Sequence, residues 1–134
     1  MAKPRFLNPA TLSRPPGYSH VVDIASPARI VYIAGQLGLD VEGKLVGAPG
    51  DFRAQATQAF DNLKAALAAV GAGLDDVVKI NNYLSDISHL QIFREVRDQY
   101  LNMAAPPAST TVEISRFARE GALFEIEAVA MLPG

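Results

Sequence analysis

The residues with the clearest potential for chemistry lie in two short segments near the C-terminus. Hydroxyl groups alternate at Ser109 and Thr111, and a carboxylate stands between apolar neighbours at Glu125. A period of two is typical of β-strands, in which alternate side chains share one face of a sheet. A carboxylate on such a face can position a water molecule, and hydroxyls can orient a small polar ligand. The pattern therefore predicts two strands that present these groups, over residues 106–114 and 124–132.

No other combination of residues indicates nucleophilic or metal-dependent catalysis. The chain has no cysteine, and His20 and His89 lie far apart, without the spacing of metal ligands. The preference of threonine for strands explains Thr110 and Thr111 without a nucleophilic role. The surroundings of His20 in the sequence do not indicate a serine triad. We therefore expect neither a metal nor a cofactor.

Composition places the chain among ordinary globular proteins. It has 134 residues, of which 49% are hydrophobic and 19% charged, which predicts one domain over residues 1–134. The net charge of −2 and the scattered basic residues give no reason to expect a nucleic-acid partner. The apolar helical stretch over residues 65–70 is too short to cross a bilayer, so no membrane partner is expected. The N-terminus lacks the apolar core of a signal peptide, and together with the absence of cysteine this predicts a cytoplasmic protein.

Periodicity along the chain predicts two helices among several strands. Four prolines and a glycine over residues 4–18 predict an extended, irregular arm. In the first helix, over residues 51–70, apolar residues recur every three or four positions, Asp51 caps the first turn and Gly71 ends the last. The other predicted elements are strands over residues 21–25, 29–34 and 77–84, a helix over residues 87–102, a loop over residues 40–50 with a short strand near Leu45, and a hairpin turn over residues 26–28.

The resulting order, β-β-α-β-α-β-β, predicts an α+β fold. In this fold both helices cover the same face of a mixed sheet. The other face is then expected to present polar side chains among apolar neighbours, namely Ser109, Thr111, Glu113, Glu125 and Glu127. A face of such mixed polarity is unfavourable in water, so the pattern predicts association of subunits through it.

Several short motifs, in their order along the chain, resemble the Rid family, also called YjgF-type or RidA-like. The motifs are Tyr18-Ser19-His20, Ala34-Gly35-Gln36, Asn62-Leu63, Val77-Val78-Lys79-Ile80, Leu84-Ser85-Asp86 and Phe124-Glu125-Ile126-Glu127-Ala128-Val129-Ala130. Deaminating members of this family hydrolyse enamines and imines. The resemblance implies a chorismate-mutase-like α+β fold and a homotrimer whose sheets form a central barrel. It also implies three clefts for a small-molecule ligand, one at each subunit boundary.

The sequence departs from the family's deaminating branch at one position. In that branch an arginine follows the Pro-Ala of the first C-terminal segment and holds the carboxylate of the substrate, and the corresponding residue here is Ser109. The family's water-positioning glutamate corresponds to Glu125. Without the arginine we expect little deamination of 2-aminoacrylate, unless another cation reaches the cleft. Arg94 in the second helix is the candidate cation, although it could instead pair with Asp98 at the surface.

The predicted ligand-binding residues are Tyr18, Gly35, Gln36, Arg94, Ser109 and Thr111. If the last two strands adjoin across a subunit boundary, these residues can line one cleft with Glu125. Two alternatives remain open. Tyr18 could serve to anchor the N-terminal arm, and Glu125 could pair with a basic residue of another subunit. Without a matching cation, a lone Glu125 is expected to disfavour anionic ligands.

Three functions remain open at this point. The first is an enamine or imine deaminase-like hydrolase, with Ser109 in the usual arginine position and a substrate other than 2-aminoacrylate. The second is a trimer that binds or senses a small ligand without turnover. The third is the endoribonuclease activity sometimes attributed to the family. The charge of −2 and the absence of a basic stripe or a histidine pair do not favour the third.

Overall fold

The fold is an α+β arrangement in which two helices pack on one face of a four-stranded mixed sheet. The structure, a computed structural model, describes residues 3–26 and 29–133. The predicted order of elements is confirmed, with one additional short strand at the start. The elements are β1 (Arg5–Leu7), β2 (Val21–Asp23), β3 (Arg29–Leu37), α1 (Phe52–Ala68), β4 (Val77–Leu84), α2 (Leu90–Tyr100), β5 (Ala108–Glu113) and β6 (Phe124–Leu132).

The sheet has the strand order β3-β6-β4-β5, so its two central strands are β6 and β4. The pairs β3–β6 and β4–β6 are antiparallel, whereas β4 and β5 are parallel. A parallel pair requires a long crossover connection, which α2 supplies between β4 and β5. Strand β5 is therefore an edge strand that lies beside the helix preceding it in the chain.

Helix α1 forms where the sequence combines an N-terminal cap with an apolar stripe. The side chain of Asp51 accepts a hydrogen bond from the backbone N–H of Ala54 at 3.0 Å, which satisfies a donor that has no partner within the helix. After the helix, Gly71 reverses the chain with a φ of 77°. The buried stripe consists of Phe52, Gln55, Ala56, Ala59, Phe60, Leu63 and Leu67.

The core lies between the two helices and the sheet face that they cover. Its centre is a group of three phenylalanines from three elements, Phe60, Phe93 and Phe124, whose ring centroids lie 5.5 to 6.4 Å apart. These spacings are typical of favourable aromatic packing. Helix α2 begins at Leu90, three residues later than predicted, because residues Ile87–His89 form a 3₁₀ turn. The helix contributes Phe93, Val96 and also a charged side chain, Arg97, to its buried side.

The N-terminal part of the chain differs from the prediction. Residues Arg5–Leu7 form a strand that pairs with Val21–Asp23, in place of a wholly irregular arm. The predicted hairpin between the second and third strands is wrong, because β2 and β3 belong to different sheets. Part of the proposed turn, residues 27–28, lies outside the described residues. Farther along, the predicted short strand near Leu45 is an isolated bridge between Leu39 and Leu45.

Replacement of Gln55 by alanine tests the polar link between α1 and the loop that precedes β6. The amide of Gln55 donates to the carbonyl of Gly121 at 3.1 Å and accepts from the N–H of Leu123 at 2.8 Å. Because Gln55 is buried, Gln55→Ala leaves two backbone groups unpaired and is expected to lower the free energy of unfolding by about 2 kcal/mol. Urea denaturation at fixed protein concentration measures the change. The exposed Gln99→Ala is the control, and equal effects of the two substitutions would contradict this role.

Candidate functional site

The sheet separates the predicted site residues into two groups on opposite faces. The strand registers pair Thr111 with Asn82 and Glu125 with Tyr83, and Ser109 shares the face of Thr111 because it lies two residues earlier. Residues paired in register share a face, and consecutive residues of a strand alternate between faces. Ser109 and Thr111 therefore lie on the helix side, whereas Glu125 lies on the other side. The prediction that all three share one face is wrong.

The position of β5 explains why its polar side chains lie on the helix side. Phe93 of helix α2 packs on Phe124 of the central strand β6, whereas Ser109 and Thr111 on the edge strand are only half-buried, so these polar groups are not forced into the core. Glu113, also predicted for the opposite face, is exposed on the helix side and accepts a hydrogen bond from the N–H of Ile87 at 3.0 Å. The alternation of side chains along β5 was predicted correctly, but the face on which its polar side chains lie was not.

The first group of predicted residues lines a cleft between α2 and β5, which we term the helix cleft. Its volume is about 240 Å³, below the range of pockets that hold drug-sized ligands. Apolar side chains form the remainder of its wall. The residues that give the helix cleft its chemical character are Tyr18, Phe93, Arg94, Arg97, Ser109 and Thr111.

A buried asparagine fixes the hydroxyl groups of the helix cleft. The Nδ2 atom of Asn82 lies 3.0 Å from Oγ of Ser109, 3.1 Å from Oγ1 of Thr111 and 3.2 Å from the carbonyl oxygen of Thr110. Asn82 is fully buried, and its Oδ1 atom has no hydrogen-bond partner among the described residues. The amide therefore clamps β5 to β4 and orients both hydroxyls in the wall of the cleft.

The N-terminal segment closes one end of the helix cleft. The hydroxyl of Ser19 donates to the carbonyl of Pro106 at 2.6 Å, and its N–H donates to the carbonyl of Pro107 at 3.1 Å. These bonds anchor the segment immediately before β5, and the adjacent Tyr18 lines the cleft. Of the two roles considered for Tyr18, the structure supports a wall of the cleft, because Ser19 provides the anchor.

Two arginines from one turn of α2 line the helix cleft. Arg94 lies there as predicted, and Asp98 accepts a hydrogen bond from Nε of Arg97 at 3.0 Å in place of the considered pair with Arg94. Sequence reasoning missed Arg97, which is only 8% exposed. Its spacing was a usable signal, because Arg97 follows the buried Phe93 by four residues and so lies on the same face of the helix.

The second group of predicted residues lies on the sheet face away from the helices, which we term the open face. There Glu125 lies against Gly35, and a Cβ atom at Gly35 would collide with the Glu125 carboxylate. A bulge in β3 between Ile33 and Gln36 accompanies this close approach. The predicted Gln36 does not belong to this group, because it pairs in register with the buried Ile126 of the helix side and its amide donates to the carbonyl of Ala34 at 3.0 Å. The structure therefore brings Gly35 and Glu125 together but separates both from the helix cleft.

The two glutamates of the open face have different surroundings. Burial, and to a smaller extent the neighbouring Glu127 carboxylate, raise the pKa of Glu125 above its ordinary value. Glu127 accepts hydrogen bonds from the hydroxyl of Tyr83 and from the amide of Asn81. The bond to Glu127 is the main reason that the pKa of Tyr83 is raised. Glu125 is therefore the glutamate better suited to exchange a proton, and Glu127 belongs to the hydrogen bonding of the sheet.

A larger depression of about 500 Å³ lies beside the loop of residues 115–122. Its charged side chains, Arg116, Arg119 and Glu120, are exposed, and it contains none of the predicted site residues. In residues 3–26 and 29–133, no group of three or more histidine, aspartate or glutamate side chains could hold a metal ion. Within the same ranges, no helix has the length and apolar character needed to cross a membrane.

Comparison with known proteins assigns the family. The model of the family described as endoribonuclease L-PSP matches residues 11–132. A Rid-family protein of unknown function from Yersinia pestis has the same fold, with a TM-score of 0.81 and 33% identity over 96% of this chain and 98% of that chain. The chain belongs to the Rid family. The resemblance and the α+β fold inferred from the sequence are thus confirmed.

Two curated relatives show how far the similarity to Rid-family proteins extends. A RutC family protein of Pyrococcus abyssi is 35% identical over 114 residues, which cover 84% of each chain. The 2-iminobutanoate/2-iminopropanoate deaminase of Dermatophagoides farinae is 30% identical over 135 residues, which cover 98% of this chain and 99% of the relative. The match to the mite deaminase therefore includes both the helix cleft and the open face of this Rid-family protein.

The raised pKa of Glu125 predicts a stability effect that depends on pH. The folded state disfavours the charged carboxylate, so ionisation costs stability above the folded pKa, and this cost is absent below the unfolded pKa of about 4.3. Glu125→Gln is therefore expected to raise the melting temperature at pH 7 by about 2 °C, and the difference should disappear below about pH 4. Thermal denaturation followed by circular dichroism measures both values.

Glu127→Gln is the control for this effect, because the Glu127 carboxylate accepts two hydrogen bonds and its replacement should not stabilise the protein. An unchanged melting temperature for Glu125→Gln at pH 7 would contradict the prediction, since it would mean that another group balances the charge of Glu125.

Proposed function

We propose that this Rid-family protein hydrolyses a small imine or enamine other than 2-aminoacrylate, in a site completed by association of subunits. The observation that carries the proposal is the separation of two complementary half-sites within one chain. The helix cleft has cationic and hydroxyl groups that suit a small polar ligand, and the open face has a partly buried carboxylate with a raised pKa. The similarity to the mite 2-iminobutanoate/2-iminopropanoate deaminase supports this class of reaction.

The composition of the open face supports association into a homotrimer. Both helices lie on the other side of the sheet, so this face has no covering layer within the described chain. Tyr32 is 79% exposed on it and Ile30 is 53% exposed, and these apolar side chains share the face with the polar groups of Glu125 and Lys79. Such a surface is more stable against another subunit than in water. In the proposed trimer, the open face of one subunit meets the helix cleft of its neighbour and completes one site.

The proposed chemistry uses Glu125 to position a water molecule and transfer its proton. The water oxygen bonds to the carbon of a protonated imine, and the proton released from the water goes to the Glu125 carboxylate. The carboxylic acid then returns this proton to the nitrogen. The C–N bond breaks, the hydroxyl proton leaves with the nitrogen, and the products are a carbonyl compound and ammonium. An enamine enters the same sequence after protonation at carbon. The raised pKa of Glu125 favours such exchange, because it moves the group closer to neutral pH.

The alternative is a trimer of the same architecture that binds a small ligand without turnover. Both functions use the helix cleft, so ligand binding alone does not distinguish them. Turnover that depends on Glu125 distinguishes the hydrolase from a protein that only binds the ligand. The structure offers no specific observation in favour of endoribonuclease activity, because the side chains of the helix cleft surround a volume of about 240 Å³, which is small for a nucleic-acid strand.

The proposed assembly predicts a particle of about three times the 14.3 kDa chain mass in light scattering at micromolar concentration. Tyr32→Glu places a charge in the proposed interface and is expected to shift the protein towards monomers. Val41→Glu, at a fully exposed loop position, is the matched control and should leave the mass unchanged. A monomeric wild-type protein would contradict both the trimer and the completed site.

The proposed reaction predicts faster release of ammonia from imines that an amino-acid oxidase generates from leucine. Little acceleration is expected for 2-aminoacrylate produced from serine by a dehydratase, because Ser109 replaces the arginine of the deaminating branch. Glu125→Gln should lower kcat/KM by about 100-fold or more. In the wild type, kcat/KM should fall as the pH decreases through the raised pKa of Glu125.

Glu120→Gln, an exposed carboxylate outside both half-sites, controls for the loss of a negative charge and should retain full activity. Full activity of Glu125→Gln would disprove the role given to this residue. A rate on 2-aminoacrylate that matches an arginine-bearing family member would show that the interpretation of position 109 is wrong. Absence of turnover with every imine would favour the ligand-binding alternative.

A further inference from the structure

Arg97 is a buried charge whose hydrogen bonding is incomplete. A guanidinium group has five N–H donors, but within the described part of the chain Arg97 donates only from Nε, to Asp98 at 3.0 Å. The Asp98 side chain is 51% exposed, whereas that of Arg97 is 10% exposed. Burial of a charge is costly unless the charge is well paired. The terminal nitrogens of Arg97 are therefore available to an anion.

The surrounding structure holds the guanidinium group of Arg97 at the helix cleft. Its Cζ atom lies 5.8 Å from the centroid of the Phe93 ring, within the range of a cation–π contact. On its other side, a Cβ atom at Gly17 would lie 2.6 Å from Nη2 of Arg97. Gly17 also has a φ of 120°, a conformation that other residues rarely adopt. Glycine at position 17 thus leaves the space that the guanidinium group occupies beside Tyr18.

The acidic side chains of the described residues balance the positive charge of the helix cleft only in part, through the pair of Asp98 with Nε of Arg97. Arg94 and Arg97 are three residues apart on α2 and therefore lie on one face of the helix. None of the residues that line the cleft is an aspartate or glutamate. The opposite wall presents the hydroxyls of Ser109 and Thr111, which Asn82 orients. Guanidinium and hydroxyl groups in one cleft are a combination that suits a planar carboxylate.

We infer that Arg97, assisted by Arg94, binds the carboxylate of the substrate from the wall formed by α2. This inference rests on the proposed function for the identity of the ligand as an imino or enamino acid. The cation missing from position 109 is then supplied by the neighbouring helix. The expected preference of the cleft for neutral or cationic ligands is replaced by a preference for carboxylates.

The position of this anchor also constrains the size of the substrate. An arginine at position 109 would extend from β5 into the helix cleft, whereas Ser109 leaves that volume free. With the carboxylate held on the wall of α2, the space next to Ser109 can accept a side chain on the substrate. The cleft should therefore prefer branched or longer 2-imino acids to the three-carbon 2-aminoacrylate, which agrees with the substrate class proposed above.

Equilibrium binding to the full chain tests the inference without requiring turnover. The probes are 4-methyl-2-oxopentanoate and its neutral amide, 4-methyl-2-oxopentanamide, measured by titration calorimetry. The wild type should bind the carboxylate about 10-fold or more tightly than the amide. Arg97→Gln should weaken binding of the carboxylate by about 100-fold, with little effect on the amide. Arg97→Lys keeps the charge but loses the bidentate geometry, and should weaken carboxylate binding by about 10-fold.

Matched variants separate an anchoring role from a structural one. Arg53→Gln removes an exposed arginine that pairs with Glu95 at 2.6 Å on the helix surface and should leave binding of the carboxylate unchanged. In the Arg97→Gln background, Ser109→Arg should restore binding of the short carboxylate pyruvate, but not of 4-methyl-2-oxopentanoate, because the new side chain fills the cleft. If the Arg97→Gln variant does not fold, the affinity of the Arg97→Lys variant for the carboxylate tests the inference.

The outcomes distinguish failure of this inference from failure of the proposed function. Equal affinity of the wild type for the carboxylate and the amide would overturn the inference, and so would unchanged carboxylate binding in both Arg97 variants. If binding of the carboxylate depends on Arg97 but no imine is hydrolysed, the anion site stands and the hydrolase function fails. If imines are hydrolysed with an unchanged KM in Arg97→Lys, the function stands and the anchor is rejected.

Discussion

The helix cleft depends on the hydrogen bonds that the buried amide of Asn82 makes. This amide joins the central strand β4 to the edge strand β5 through both hydroxyls and a backbone carbonyl. In a parallel pair, a shift of one residue would move Ser109 and Thr111 to the other face of the sheet. By bonding to both hydroxyls at once, Asn82 favours the register in which they face α2. An apolar residue at this position could fill the same volume but could not specify the register.

The same sheet keeps groups of opposite charge apart. Arg94 and Arg97 lie on the helix side, and Glu125 lies on the open face with a raised pKa. Because they lie on opposite faces of the sheet, they do not pair within one subunit, and burial keeps the pKa of Glu125 raised. A protonated imino acid carries a carboxylate and a positive nitrogen, so it complements the cationic and anionic half-sites that we propose to meet in the trimer. In the proposed trimer, the two separated charges bind the two charged groups of one ligand.

The helix cleft differs from the deaminating branch of the Rid family in the position of its arginines. The deaminating branch that this chain resembles carries its arginine on the strand, where Ser109 stands here. The structure places Arg97 on the facing wall. Its guanidinium group lies against the Phe93 ring and occupies space that a side chain at position 17 would fill. The positive charge of the cleft is retained, while its geometry and free volume differ.

The sequence by itself determined the order of the elements, the bounds of β4 and β6, the cap and apolar stripe of α1, and the family, because these depend on local periodicity and short motifs. It also predicted Arg94 and Tyr18 for a cleft that both residues line in the structure, whereas the predicted Glu125 lies on the open face. The tertiary structure decided which face each strand presents, since the phase of an alternating edge strand depends on its partner Asn82. It also decided that Arg97 lies buried at the cleft, because a charged side chain enters a helix interface only where packing leaves room for it.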